Sequence, residues 1–585
     1  MVLNVQEEPE GASSNGRGSK EKLAAVRAYH QRTKHLPDRF APGPGIMDWA
    51  NQPDPFRRFI GARLIELPLV LGQETVQFGA LTRPGTVAPR PLSLESLGLY
   101  FELSLGLTAW KELQGARWAL RSNPSSGNLH PTEGYVLLPA IDGVSKEPGV
   151  YHYAPREHSL EERCILSDKT WIGLVGAPEP PRFLVALSSV HWRESWKYGE
   201  RAYRYCQHDA GHALGSLRYA AAALGWSMQL ISELSDADLS TIMGLNRVQD
   251  FHDAEPEFPN LLGLVVARPN PSRTLCVSSE AVRIVGDGSW HGQANRLSSE
   301  QVHWPWIGAM EANAVKPHTE LQFRPSTGRV PQGQVPIPPP KVVGPSAVSI
   351  IRQRRSAVAM DGQTSVSLDT FMGILRRTMP EPDTVPWDAF PFPARIWLCL
   401  FVHRVDDLPP GVYALMRDPT RLEALRTDCR DDFSWTPISG TALPVYELRL
   451  GDFRQVAAHV SCTQAIAGDG AFSLGMIADF ARTLKEEGAW AYRRLFWEAG
   501  LVGQVLYLEA EAAGVQATGI GCYFDDLLHL GLGLDPEEDA WQSLYHFTVG
   551  GAVHDARLTT LPAYFHLPSR RAGHRSVDGS DHPER

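Results

Sequence analysis

The feature that most constrains this chain is an internal repeat. Ala202-Tyr203-Arg204 recurs as Ala491-Tyr492-Arg493 and Ala210-Gly211 recurs as Ala499-Gly500, each displaced by 289 positions (499 − 210). The same displacement carries Leu217 to Leu506, Ala221 to Ala510, Gly225 to Gly514 and Gly244-Leu245 to Gly533-Leu534. One offset held over more than forty residues marks two copies of a single structural unit, because chance matches do not keep a common register. A second match, Pro148-Gly149-Val150-Tyr151 with Pro410-Gly411-Val412-Tyr413, is displaced by 262 (410 − 148), so the second half carries an insertion of about 27 residues between the two matches. In both halves this match follows an apolar run, Tyr135 to Leu138 and Ile396 to Val402, that reads as a short buried strand. The Ala/Gly/Leu stretch from about Tyr203 to Leu224 and its copy read as buried helices, with small residues that let a neighbour approach closely.

Two copies need two cores, and 585 residues are enough for two to four domains. The run Val335-Pro336-Ile337-Pro338-Pro339-Pro340-Lys341 favours a stiff, extended connector. The resulting division is a disordered N-terminus over 1–20, a first domain over 21–290, a proline-rich linker over 291–345, a second domain over 346–567 and a disordered tail over 568–585. Between Tyr29 and Phe59 the many prolines favour extended wrapping over a long helix.

A net charge of −10 repels a phosphate backbone and argues against nucleic-acid binding. The start lacks a basic, then apolar, signal-type segment, and no stretch is long and apolar enough to span a bilayer, so no membrane association is expected. The seven cysteines are scattered and never form C-x-x-C, and they read as reduced, mostly buried thiols of a cytoplasmic protein. His208 and His212 stand one helical turn apart, but Asp209 lies between them and no third ligand is in evidence, so no metal site is expected. Neither G-x-S-x-G, a Walker loop nor G-x-G-x-x-G is found, which leaves Ser-His-Asp hydrolysis and a built-in dinucleotide fold without support.

Asn123-Pro124-Ser125-Ser126-Gly127-Asn128-Leu129-His130-Pro131 precedes the first apolar strand. By itself it reads as a polar turn, or as a loop of hydroxyls and backbone amides with a glycine that lets an oxygen-rich planar cofactor come close. This loop and its flanks resemble the flavin-contacting loop of the nitroreductase superfamily, above all its SagB/ThcOx-type branch, which includes azoline dehydrogenases of peptide biosynthesis. The resemblance implies an α+β fold, a tandem of nitroreductase-like domains forming an intrachain pseudo-dimer, with FMN bound where the two copies meet.

In that family one subunit supplies Arg-Arg-Ser, a glycine turn and a C-terminal basic residue for the phosphate, and the other supplies the serine loop. Here the parts are divided between the halves. The second half has Arg354-Arg355-Ser356, Gly519-Ile520-Gly521 and Arg557, but Trp387-Asp388-Ala389-Phe390-Pro391-Phe392-Pro393 in place of the loop. The first half has Pro124, Ser125, Ser126, Gly127 and Asn128, but Ser227-Met228-Gln229-Leu230 in place of the glycine turn. The resemblance therefore implies one composite FMN site and the loss of its reciprocal.

Trp196-Lys197-Tyr198-Gly199 resembles a Lys-Tyr pair of the azoline dehydrogenases, which implies Lys197 as base and Tyr198 as a proton relay or a stabiliser of charge. The residues alone fit equally well an exposed lysine beside a packed tyrosine. The expected activity is hydride transfer between flavin and a small molecule or a ring in a modified peptide, with diffusible NAD(P)H and peptide-modifying enzymes as possible partners. The alternative is a flavin-free tandem that serves as a structural or partner-binding subunit.

Overall fold

The computed structural model describes residues 14–69, 76–176, 179–269, 277–320 and 344–567. The proline run Val335 to Lys341 and the tail from 568 lie outside these residues.

The apolar runs become central strands because both of their faces are covered. Strand Thr132–Leu138 is buried throughout. Val136 and Leu138 enter a core shared by both halves, whereas Tyr135 and Leu137 enter an outer core of the first half, as the two-residue period of a strand requires. Strand Ile396–Val402 does the same. Ile396, Leu398, Leu400 and Val402 reach the shared core, and Trp397, Cys399 and Phe401 reach a second outer core.

Each run nucleates a seven-stranded sheet. The first sheet runs from edge to edge as Arg63–Glu66, Ser159–Ile165, Gly149–Ala154, Thr132–Leu138, Arg182–Ser189, Phe258–Val266 and Ser227–Leu230. The second runs Thr436–Pro437, Val445–Leu450, Gly411–Leu415, Ile396–Val402, Phe472–Asp479, Trp541–Gly550 and Gln516–Ile520. The strands occur in corresponding order, so the fold is α+β and tandem, as the repeat implies.

Between the sheets lie two 22-residue helices, Ala202–Ala223 and Ala491–Ala512, whose ends are also displaced by 289 (491 − 202). They cross at a repeated glycine. A Cβ on Gly211 would lie 2.3 Å from the Trp497 carbonyl oxygen, and one on Gly500 would lie 2.1 Å from the His208 carbonyl oxygen. Beyond each helix the repeated Gly225 and Gly514 take φ of +71° and +77°, the left-handed turn that ends a helix and favours glycine.

The halves also exchange arms. Helix Ser14–Arg32 packs against helix Pro305–Asn313 of its own half, and its end also reaches the second half. The His30 ring lies 4.6 Å from Phe480, its Nε2 lies 3.0 Å from the Gln542 side-chain oxygen, and just beyond the helix Lys34 pairs with Asp526 at 2.7 Å. In return strand Thr559–Pro562 of the second half pairs with Leu107–Leu113, which with Ala116–Arg121 forms a three-stranded sheet.

Two expectations are corrected. The helix replaces the disorder assigned over residues 14–20 and the extended chain assigned from Tyr29 as far as Arg32; residues 1–13 lie outside the described residues. Helix Ser14–Arg32 holds no proline, the next being Pro37, and Val26 and Tyr29 are fully buried, so packing pays for the ordering. Residues 291–320, assigned to the linker, belong to the first half. Gln293–Ala294 pairs with Phe59–Ile60, and helix Pro305–Asn313 buries Ile307 and Met310. Among the described residues no helix is long and apolar enough to cross a membrane.

Candidate active site

Where the serine loop of the first half faces the end of strand Gln516–Ile520 of the second, a cleft of about 910 Å³ opens. Pro124, Ser125, Ser126, Gly127 and Asn128 line one wall; Arg354, Arg355 and Ser356 with Gly519, Ile520 and Gly521 line the other. The structure therefore brings together the parts that the sequence divides between the halves.

The serine loop is tightly held. Gly127, Asn128 and His130 have φ of +58°, +60° and +54°, and left-handed backbone at the two non-glycine residues costs about 1–2 kcal/mol each. The neighbours that enforce it are specific. The Ser126 backbone N–H and hydroxyl donate to the Asp209 carboxylate at 3.1 and 3.2 Å, the Asn128 amide donates to the Ala119 carbonyl at 2.8 Å, and the His130 N–H donates to the Ser125 hydroxyl oxygen at 2.8 Å. The Ser125 and Asn128 side chains thus shape the loop as well as line the cleft.

Behind the loop, Arg193 donates to the His130 carbonyl at 2.8 Å and also to Glu133. Glu133 and Glu161 hold the two ring nitrogens of His152 at 3.1 and 2.9 Å. Burial alone would lower the His152 pKa, but the two carboxylates raise it to about 9. Because the folded value lies above the usual 6.5, the stabilisation is complete below pH 6.5 and is lost as pH rises through about 9. His152→Gln should therefore cost about 3 kcal/mol at pH 6, and the gap to the parent in denaturant titrations should narrow steadily towards pH 10. A gap that does not change with pH would refute this.

Helix His191–Tyr198 brings up the other two expected residues. Beside Gly127, the space that a Cβ would take holds the Tyr198 hydroxyl at 2.4 Å and Lys197 Nζ at 3.1 Å. Tyr198 lines the cleft and its ring meets Tyr205 edge-on at 4.7 Å. Burial, with Glu194 next, pushes its hydroxyl well above the usual range, so it is held protonated. The same helix carries Glu194, whose Oε1 accepts from the Ser125 hydroxyl at 3.5 Å. Burial raises the Glu194 carboxyl well above its usual value and raises Asp209 to about 7. Asp209, with no guanidinium partner among the described residues, can store and release a proton near neutrality, while Glu194 beside it is held protonated. Sequence reasoning missed both. The repeat offset maps Asp209 onto Glu498 (498 − 209 = 289), yet Glu498 is a buried partner of Arg417; the contrast becomes visible only once partners are known.

The other end of the cleft is cationic. Arg354 is buried, donates to the Arg121 carbonyl at 3.1 Å and lies 5.0 Å from the centre of the Tyr507 ring, while its Nε and Nη1 have no partner among the described residues. Arg355 donates to the Arg352 and Arg354 carbonyls, each at 2.7 Å. Burial and then Arg354 lower its pKa to about 10. Lys111, which the sequence did not single out, also lines this end, as do the acids Glu511 and Asp555. Unpartnered buried guanidinium nitrogens suit a doubly charged anion such as a phosphate ester. The Tyr507 hydroxyl joins the two second-half segments, 2.8 Å from the Ser356 hydroxyl and accepting from the Gly519 N–H at 3.0 Å.

The glycine turn differs in detail from the expectation. A Cβ on Gly519 would meet the Tyr545 hydroxyl at 2.0 Å, and one on Gly521 would meet the Tyr205 ring at 2.7 Å, so these glycines admit the protein's own tyrosines into the wall. Arg557 does not line the cleft; its side chain is 79% exposed and pairs with Asp555 at 2.7 Å. His208 stacks on Tyr545 at 4.1 Å, and His212 Nε2 lies 3.2 Å from the Tyr545 hydroxyl. Among the described residues no cluster of His, Cys, Asp and Glu has the makings of a metal site.

At the pseudo-equivalent position the space is filled. Displacement by 262 (388 − 126) maps Ser125-Ser126-Gly127-Asn128 onto Trp387-Asp388-Ala389-Phe390. The turn Trp387–Ala389 packs directly on strand Ser227–Leu230. Arg218, the counterpart of Tyr507 (507 − 218 = 289), clamps Asp388 with two bonds of 2.9 and 2.6 Å.

Two antiparallel sheets, paired central helices and a cleft between the copies define a tandem of the flavin nitroreductase fold. A crystal structure of a candidate nitroreductase from Anabaena variabilis matches with a TM-score of 0.63 at 20% identity, covering 90% of this chain and 99% of that one. Residues 111–253 match the model of the Nitroreductase family. Among named relatives, the candidate nitroreductase MJ1384 of Methanocaldococcus jannaschii is 26% identical over 159 residues, covering 26% of this chain and 75% of that protein. The trifolitoxin-processing protein TfxB of Rhizobium leguminosarum is 28% identical over 182 residues, 29% of this chain and 48% of that protein.

Proposed function

We propose that the chain is an FMN-dependent oxidoreductase that holds one flavin in the composite cleft. The observation that carries this reading is Arg354, buried at the cleft with two unpartnered guanidinium nitrogens, opposite the strained serine loop. Arg354, Arg355 and Lys111 would hold the phosphate, and the serine loop and Gly519-Ile520-Gly521 would flank the ring system. When bound, FMN supplies a carrier that takes up or gives back a hydride. Lys197 takes the substrate proton, the protonated Tyr198 steadies the charge that develops, and Asp209 receives the proton behind the loop. The walls from the two halves exclude water from this exchange.

The relationship to a toxin-processing protein supports a substrate ring in a modified peptide over a small electron-poor acceptor. Peptide-modifying enzymes would then supply the substrate, diffusible NAD(P)H or another small carrier would close the cycle, and the reaction would run in the cytoplasm. A flavin-free scaffold would have no use for unpartnered buried guanidinium nitrogens, which are costly to desolvate.

The test is to count FMN in the purified protein and to titrate it into Arg354→Ala. One flavin per chain is expected, with binding weakened by about 2 kcal/mol, some 30-fold, in the variant. Ser125→Ala combined with Asn128→Ala should also lower flavin content. Unchanged flavin in both variants would sink the composite site.

A further inference from the structure

Of the seven cysteines, Cys164, Cys206, Cys399 and Cys429 are buried, whereas Cys462 and Cys522 are partly exposed and their sulfurs lie 2.8 Å apart across 60 positions of chain. We propose that Cys462 and Cys522 form a redox-active pair that passes between dithiol and disulfide by exchange with low-molecular-weight disulfides and thiols. The proposal does not depend on the flavin.

The two residues sit where exchange needs them. Cys522 directly follows the Gly519-Ile520-Gly521 wall and lines the cleft, so a small disulfide can reach it from that space. Cys462 lies just beyond helix Arg454–Val460, and it and Thr463 have φ of +54° and +58°. This left-handed turn is unusual for two non-glycine residues in succession. Gln464 fixes the approach by donating one amide nitrogen to the Ser461 and Cys522 carbonyls at 2.8 and 2.9 Å. The Arg201 guanidinium, which donates to the Gly521 carbonyl at 3.3 Å, places positive charge next to Cys522 and favours its thiolate. Asp525 opposes this in part, since it is paired with Arg201 at 3.0 Å.

In the forward direction the Cys522 thiolate attacks one sulfur of a disulfide R–S–S–R and expels R–S⁻, which takes a proton from solvent. Cys462, losing its proton to solvent, then attacks the Cys522 sulfur of the mixed disulfide and expels the second R–S⁻. Two protein thiols are oxidised and one external disulfide is reduced to two thiols. Excess thiol reverses both steps.

The experiment equilibrates the full-length protein in buffers of oxidised and reduced glutathione, quenches with acid, alkylates free thiols after unfolding and maps peptides by mass spectrometry. The expected product is a cross-linked peptide pair joining Cys462 to Cys522, lighter than the two reduced peptides by two hydrogen atoms. It should disappear in excess dithiothreitol, with the four buried cysteines alkylated throughout. Cys462→Ser should instead accumulate the glutathione adduct on Cys522. Alkylation of both residues in fully oxidised buffer, or separate adducts on each without a cross-link, would overturn the proposal.

Discussion

On the proposed function, Lys197→Ala is expected to keep the parental flavin count and to oxidise a ring in a modified peptide on the order of 100-fold more slowly than the parent, the usual scale for loss of a positioned base. The expectation rests on Lys197 Nζ and the Tyr198 hydroxyl converging on Gly127, in the loop that lines the cleft. The lysine lies 5.3 Å from the centre of the Tyr198 ring and its charge acts on the buried Glu194, neither of which holds the cleft walls together, so its removal should leave the flavin count unchanged. Rapid mixing of substrate with the flavin-loaded protein, followed by bleaching of the flavin band, isolates the step. Tyr198→Phe should give a smaller loss, because a hydroxyl held protonated stabilises charge without accepting the proton. Bleaching at the parental rate in Lys197→Ala would remove the lysine from the mechanism and leave Asp209, with its carboxyl raised to about 7, as the base to test.

Gly500→Ala will destabilise the protein by about 3 kcal/mol or more, the upper range for overpacking. The new methyl would have to displace backbone, the His208 carbonyl oxygen at 2.1 Å and Gly211 Cα at 3.0 Å, and neither can rotate away. Gly211→Ala meets the same crossing from the other side, at the Trp497 carbonyl. The double variant should therefore cost less than the sum, as contacting sites do. Gly373 is the control. It lies within helix Leu368–Arg377 with nothing within 4 Å of a Cβ, so Gly373→Ala should gain about 0.5–1 kcal/mol. Thermal melts that fail to separate Gly500→Ala from Gly373→Ala would mean that the helices can slide apart without loss.

Much of this architecture could be read in the chain because it is local and repeated. The single offset located both central helices, and the apolar runs located the middle strands of both sheets. The serine loop, Arg354 and the glycine turn were legible as motifs, although their meeting in one cleft is a tertiary fact. The rest depends on contacts between distant residues. Nothing in Tyr29 or His30 announces that their helix docks on Phe480 and Gln542, and helix-forming residues near prolines leave the local signal divided. Arg557 stands at a plausible place in the order, but Asp555 two positions earlier claims its charge. Glu194 and Asp209 look like ordinary helix acids until burial removes their solvent. Lys111 enters the cleft from a hairpin that no motif marks.

The covalent tandem also alters how the cleft responds to concentration. In a two-subunit enzyme a pocket built from both subunits disappears when the subunits part, so ligand retention follows mass action and fails on dilution. Here both walls belong to one polypeptide and are further laced by the exchanged arms, Ser14–Arg32 in one direction and Thr559–Pro562 in the other. Reassembly is then intramolecular, with an effective concentration set by the chain itself. The walls stay matched at the lowest protein levels, because each single molecule carries both sides of the cleft.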